Sequence, residues 1–360
     1  DQRLMATVIE TSPPPSAGGD PMGGLVSAAL EAWGIEASAP VTFIKHRENV
    51  VYRVDSARLG ALALRFHRVG YHSDAELASE LGWVRTLERA GVRVPEVVPD
   101  RDGRLWAPIR VGSHQRNTSV QRWIDGAGPL GDVGDLFAGE PLHPDLRFET
   151  LGDLAARCHT VAERGTPAGF DRRAWDADAL TGPEPLWGDP SGLRTLDAAD
   201  RRVLDQARVH LRRDLAALPV DRDHAGIVHA DMTPENVLIS PSGELTLIDF
   251  DDFGESWYLF DLATAMFFAT PRSDYPALRD ALFHGYRARR SLTAPELASW
   301  DALLLARGMT YLGWSAARPG NEAEAFISGH VAPWVVRAAH AYVTASPLPW
   351  TPLTPTENPR

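Results

Sequence analysis

Apolar and polar residues alternate with a period of two near the start of the chain and settle into helical spacing further on. VTFI, VVYRV and ALALRF, between residues 41 and 66, read as strands. In the third, Leu62, Leu64 and Phe66 share one face, and Ala61, Ala63 and Arg65 take the other. A short helix over 25–34, ending near Gly34, is expected ahead of them. Ser73 and Glu76 have capping-box spacing, so a helix should run from there to about residue 90 and stop at Gly91. Its apolar stripe is Leu77, Leu81, Val84 and Leu87, and Glu80 projects into that stripe. A carboxylate on the packed side of a helix needs a partner. Val92–Val98 and Trp106–Val111 suggest two more strands, and Ser119–Gly126 a final strand running into a hinge.

Beyond residue 126 the pattern is mostly helical. Helices are expected around Leu151–Val161, over 197–218, from Ser256 onward, and near 275–290, 294–317 and 322–345. One stretch breaks this rhythm. Two short apolar runs, 237–239 and 245–248, flank Ser240-Pro241-Ser242-Gly243 and read as a hairpin. The predicted fold class is α+β in two lobes: an N-terminal antiparallel sheet with one main helix, then a mostly helical C-terminal lobe. The expected boundaries are a mobile leader over 1–24, the first lobe over 25–125, the second over 126–345, and a loose Pro-rich tail over 346–360. Residues 165–196, rich in Gly, Pro, Trp and Asp, form a loop too long to be idle by default, and it is expected to line an acceptor pocket.

Composition narrows the function classes. With 360 residues there is room for two lobes, and 44% hydrophobic content is ordinary for a globular chain. No apolar run reaches the roughly 18 residues needed to span a bilayer. No secretory signal is seen, and the single cysteine, Cys158, cannot form an internal disulfide; both fit a cytoplasmic protein. The net charge of −12 argues against nucleic acid as the main partner. Residues 41–72 carry six Lys and Arg against Glu48 and Asp55, whereas 221–261 carry ten Asp and Glu against Arg222 alone. A basic first lobe and an acidic second one suit an anionic nucleotide with metal ions, and a cationic second substrate.

The hairpin carries the candidate chemistry. His229-Ala230-Asp231 precedes it, Asn236 leads into it, and Asp249 leads out. Asp, Asn and Asp are hard oxygen donors of the kind magnesium takes, together with water and substrate phosphates. This is the parts list of phosphoryl transfer: one Asp for the attacking hydroxyl, an Asn and a second Asp for the metal.

His229-Ala230-Asp231, Ile248-Asp249-Phe250-Asp251 and Asp261-Leu262-Ala263 resemble the aminoglycoside phosphotransferase and choline kinase-like family, relatives of the protein kinases. The resemblance implies transfer of a γ-phosphate from ATP, with GTP as the alternative, to the hydroxyl of a small amino-alcohol or cationic acceptor. Asp231 would accept the proton, His229 would brace the loop, and Asn236 and Asp249 would hold Mg2+. Leu62-Ala63-Leu64-Arg65 sits where kinases have Val-Ala-Ile-Lys, so Arg65 would face the phosphates with Glu80 as its partner, although Arg is a fork rather than a point charge. Arg122 and Trp123 fall at the strand-to-hinge junction, where backbone groups would contact the base. The loop 45–49 has no glycine flap of the protein-kinase type. Asp261, flanked by apolar residues, is expected to hold the catalytic loop through backbone donors, and His159 to be structural. Asp251 and Asp252 are open between outer metal contacts, contacts to a cationic substrate, and a solvated turn. Two other readings stay in view: a protein kinase of the bacterial stress-response type, and a nucleotide-binding protein that does not catalyse.

Overall fold

The computed structural model describes residues 21–46, 49–140 and 148–351. The leader up to residue 20, the loop residues Arg47 and Glu48, and the tail from 352 lie outside the described residues. The chain divides into two compact units. The first takes the described residues through Pro129, together with Pro167–Arg172 and Val237–Asp251; the second takes the rest. The hairpin, expected in the helical lobe, is thus counted with the sheet-bearing unit.

The sheet of the first unit is built from β1 (Val41–His46), β2 (Val50–Ser56), β3 (Gly60–Phe66), β4 (Val97–Val98), β5 (Trp106–Val111) and β6 (His114–Arg122). All pairings are antiparallel, in the order β1-β2-β3-β6-β4, with β5 also paired to β6. The strand expected over Val92–Val98 is only two residues long. Pro95 has no N–H to give a ladder, which keeps regular pairing to the residues after it. Helix α1 (Pro21–Trp33) begins four residues earlier than expected, at a proline that suits a first helical turn. Its Leu25, Ala29, Leu30 and Trp33 pack with Val54, Leu62, Leu64, Phe66, Ile109 and Val120, and the Trp33 indole donates to the Val98 carbonyl at 2.8 Å. Helix α2 (Asp74–Arg89) starts at the Ser73–Glu76 capping box, and Glu80 is fully buried on it.

The hairpin strands Val237–Ile239 and Leu245–Leu247 pair antiparallel, with Leu247 opposite Val237. Gly128–Pro129 adds a short third strand. The hairpin is tied to the segment after α2 by Leu247 N–H donating to the Arg93 carbonyl at 3.0 Å.

In the second unit, helices Phe148–Ala162 and Tyr275–Arg287 press closely together. A Cβ at Gly152 would collide with the Leu282 carbonyl, and one at Gly285 with the Glu149 carbonyl, so both contact points require glycine. Asp197 caps the helix Ala198–Ala216. The helix expected over 294–317 is broken at Ser299 into Ala294–Ala298 and Trp300–Ala316. Residues 346–351 are not loose: Leu348 and Trp350 are buried, and the Trp350 indole donates to Asp301 at 2.8 Å. No helix among the described residues is long and apolar enough to cross a membrane.

Candidate active site

In the first unit, Arg65, Glu80 and Asp249 come together. Arg65 lies on the face of β3 opposite Leu64 and Phe66, and its Nη1 lies 3.0 Å from Glu80 Oε1, both side chains being buried. Its Nη2 lies 3.7 Å from Asp249 and 3.8 Å from Asp251. Burial opposes the guanidinium charge, and Glu80, Asp249 and Asp251 outweigh that penalty and raise its pKa further. Lys45, on β1, reaches Asp249 at 3.7 Å. Asp249 itself has φ +64°, a left-handed conformation rare outside glycine and least costly for Asn and Asp. Such strain is worth about 1–3 kcal/mol and persists where the surroundings enforce it.

Asp251 is not a solvated turn residue. Only 5% exposed, it accepts from Asn49 Nδ2 at 3.2 Å, and the Arg172 guanidinium donates to its carbonyl. Burial raises its carboxyl, but His72 and Arg65 overturn that and hold it well below the usual carboxylate range. His67 is buried beside this group. Desolvation and the Arg65 charge push its pKa down to about 3, so its ring is neutral.

Arg122 and Trp123 stand apart from that cluster. The Arg122 side chain is engaged by Glu96 at 3.2 Å and by the Leu59 carbonyl, and Trp123 lies under Arg53, 5.2 Å from ring centroid to guanidinium. Their backbone amides donate to the carbonyls of Glu96 and Ala61 within the unit.

In the second unit, His229, Asp231 and Asn236 are brought together on the loop that follows strand Ala225–Val228. Asn236 Nδ2 donates to Asp231 Oδ2 at 2.8 Å and to the Asp231 carbonyl at 2.9 Å. A carboxylate only accepts, so the NH2 end of the amide must face it, which turns the Asn236 carbonyl oxygen the other way. The Asp231 amide donates to His229 Nδ1 at 3.3 Å. Ala230, between them, has φ +63°. Asp261 supplies the support this strained turn needs: its carboxylate takes the amides of His229 and Ala230 at 2.9 and 2.8 Å. Burial raises the Asp261 carboxyl, and the His159 bond and the backbone donors more than offset it, leaving the group ionised. His159 Nε2 therefore donates to Asp261 at 3.0 Å, and its Nδ1 accepts from the Tyr286 hydroxyl, also at 3.0 Å. The apolar flanks of Asp261 already required such donors.

One residue of this centre was missed in the sequence. Arg307 is fully buried, and its Nη2 lies 2.5 Å from Asp231 Oδ1. Its guanidinium is stacked 4.4 Å from the Tyr311 ring, 4.5 Å from Trp187 and 5.7 Å from Phe260. Both Asp231 oxygens are thus held, one by Asn236 and one by a permanent cation. The available signal was an arginine inside the apolar stretch that follows Asp301 in the helix Trp300–Ala316, because a buried charge demands a counter-ion. Trp187, from the long loop, also donates to Asp252 Oδ1 at 3.1 Å, and Trp175 donates to the Asp252 carbonyl at 2.8 Å.

Each unit holds donors of the kind a hard divalent cation and a nucleotide take: in the first, a carboxylate at Asp249 beside the buried Arg65 guanidinium; in the second, an amide oxygen at Asn236 directed away from Asp231. The chain also resembles known proteins. The sequence model of the phosphotransferase enzyme family matches residues 41–303. A homoserine kinase of Cupriavidus necator is 29% identical over 254 residues, 66% of this chain and 68% of its own. A Deinococcus radiodurans protein is 29% identical over 307 residues, 82% of each chain. Among solved structures, the microcompartment-associated aminopropanol kinase superposes with a TM-score of 0.78 at 29% identity, covering 91% of this chain and 99% of that one. The chain belongs to the phosphotransferase enzyme family, whose members move a phosphoryl group onto an alcohol.

Proposed function

We propose that the protein transfers the γ-phosphate of ATP to the hydroxyl of a small amino alcohol, with Asp231 as the group that receives the hydroxyl proton. The observation that carries this reading is the Asp231 carboxylate, fixed at both oxygens by Asn236 and Arg307 at the head of the hairpin. The acceptor oxygen bonds to the γ-phosphorus, the bond from that phosphorus to the β-phosphate oxygen breaks, and ADP leaves. Asp231 orients the hydroxyl and takes its proton as the new bond forms. Asn236 and Asp249 would hold magnesium, which when bound neutralises charge on the phosphates. Arg65, positioned by Glu80, would face the same phosphates, and His229 would keep the loop in shape. At the hinge, the amides of Arg122 and Trp123 are engaged, so contact with the base falls to their carbonyls or to later residues.

The acceptor class follows from chemistry. Asp252, held by Trp187, offers a carboxylate for an ammonium group, and Trp187 also stacks on the arginine that holds Asp231. Homoserine and aminopropanol, the acceptors in the names of two relatives, both carry an amine and a hydroxyl. The test is ADP release from ATP and from GTP across amino alcohols, aminoglycosides and generic protein substrates. An amino alcohol should stimulate release with ATP and Mg2+. Stimulation by protein substrates alone, or by none of the alcohols, would overturn the reading.

Arg307 is a positioning residue for this reaction. Arg307→Gln should lower kcat by about 10²-fold, since misplacement by an ångström costs that much, while the nucleotide KM moves little. Steady-state kinetics on protein with an unchanged circular dichroism spectrum checks it; a wild-type kcat would remove the role.

A further inference from the structure

Three buried side chains of the first unit converge, two of them with an atom that has no hydrogen-bond partner. His67, Glu80 and Asp251 are 3%, 0% and 5% exposed. One donor atom from each lies within 4.8 Å of the other two. His67 Nε2 bonds Ser119 Oγ at 2.9 Å, so Nδ1 is the nitrogen that remains, and it is buried with no hydrogen-bond partner. Glu80 gives Oε1 to Arg65, and its Oε2 is likewise buried and without a partner. His72 stands beside them, with Nε2 3.6 Å from Asp251 Oδ1 and no hydrogen bond. Buried polar atoms without partners are rare, and a bound ion or water is among the usual reasons.

We propose that His67, Glu80 and Asp251, with His72 as a fourth donor, bind a divalent transition metal such as Zn2+, separately from the magnesium assigned to Asn236 and Asp249. Two imidazole nitrogens with two carboxylate oxygens suit zinc and its neighbours, whereas magnesium prefers oxygen and water. Zinc bonds of about 2.1 Å set neighbouring ligand atoms about 3.4 Å apart, so the donors draw inward by roughly 1 Å on binding. Arg65 and Arg172 oppose the added charge. Arg65 keeps Oε1 while the ion takes Oε2, so the metal braces the Arg65–Glu80 pair rather than displacing Arg65. Bound there, it ties β3, α2 and the segment after the hairpin to one another.

The test uses the full-length chain, freed of metal, with no nucleotide present. Zn2+ titrated by calorimetry should bind with one equivalent per chain, and Co2+ should give the intense visible bands of a four-coordinate site. His67→Gln, which can still bond Ser119, and His72→Gln should each weaken Zn2+ binding at least tenfold. Asp231→Asn should bind as the parent does. Near-ultraviolet circular dichroism on both histidine variants establishes that the fold is kept. No tight Zn2+ uptake, which a water molecule in the site would give, overturns the proposal. So does equal affinity in the parent and both histidine variants, which would place the ion at surface histidines. Because ATP turnover is not measured, either outcome leaves the phosphotransferase reading standing.

Discussion

Asp231→Asn should lower turnover by about 10³- to 10⁴-fold, the upper part of the range for a lost general base, and leave ATP binding within a factor of two or three. The expectation rests on geometry. Asp231 is the carboxylate at the head of the hairpin, and Asn236 and Arg307 both aim at it. An asparagine has nearly the same shape but cannot take a proton from the acceptor. In-line positioning would persist, so a residual rate should remain. The substitution also strips Arg307 of its counter-ion in a fully buried position, and leaving a buried charge unpaired costs up to about 3–5 kcal/mol. Asp231 itself is partly solvated, so the loss should be smaller than that range. The kinetic and stability effects separate in the double variant Asp231→Asn/Arg307→Met, where the orphaned charge is gone. Its melting temperature should recover while its turnover stays low. Wild-type turnover in the single variant would refute the assignment of Asp231.

Asp249→Asn should weaken magnesium-dependent nucleotide binding by at least about tenfold, or about 1.4 kcal/mol. Asparagine is the informative replacement because position 249 has φ +64°, where a β-branched or bulky side chain would add backbone strain. The change removes charge and leaves the turn intact. It also takes away one of the carboxylates facing Arg65, so some of the effect passes through that guanidinium. Titrating nucleotide with and without Mg2+ divides the two contributions. If Asp249 holds the metal, the parent gains affinity with Mg2+ and the variant gains little. An equal gain in both proteins would leave Asp249 without a metal role.

Much of the arrangement was legible along the chain because it is local. The capping box of Ser73 and Glu76 set the start of α2, and the helical stripe set the burial of Glu80. A turn signal between two apolar runs set the hairpin, and the spacing around it singled out Asp231, Asn236 and Asp249. Each of these depends on residues a few positions apart, where periodicity and turn chemistry act. The need of Asp261 for backbone donors was equally readable, since a carboxylate among Phe260, Leu262 and Ala263 has no local partner.

What tertiary structure alone decided is which distant groups meet. Arg307 is 76 positions from Asp231 and lies in a helix whose pattern says only that it is buried. For Asp251 the chain leaves a metal contact, a substrate contact and a solvated turn all open, and it is Asn49, 202 positions away, and the Arg172 guanidinium that close over it. Trp350 falls in a Pro-rich segment whose composition predicts a loose tail, yet it is seated against Asp301. In each case the chain shows a polar or aromatic group that must be satisfied. The identity of the partner is a matter of packing between remote elements, which no local period encodes.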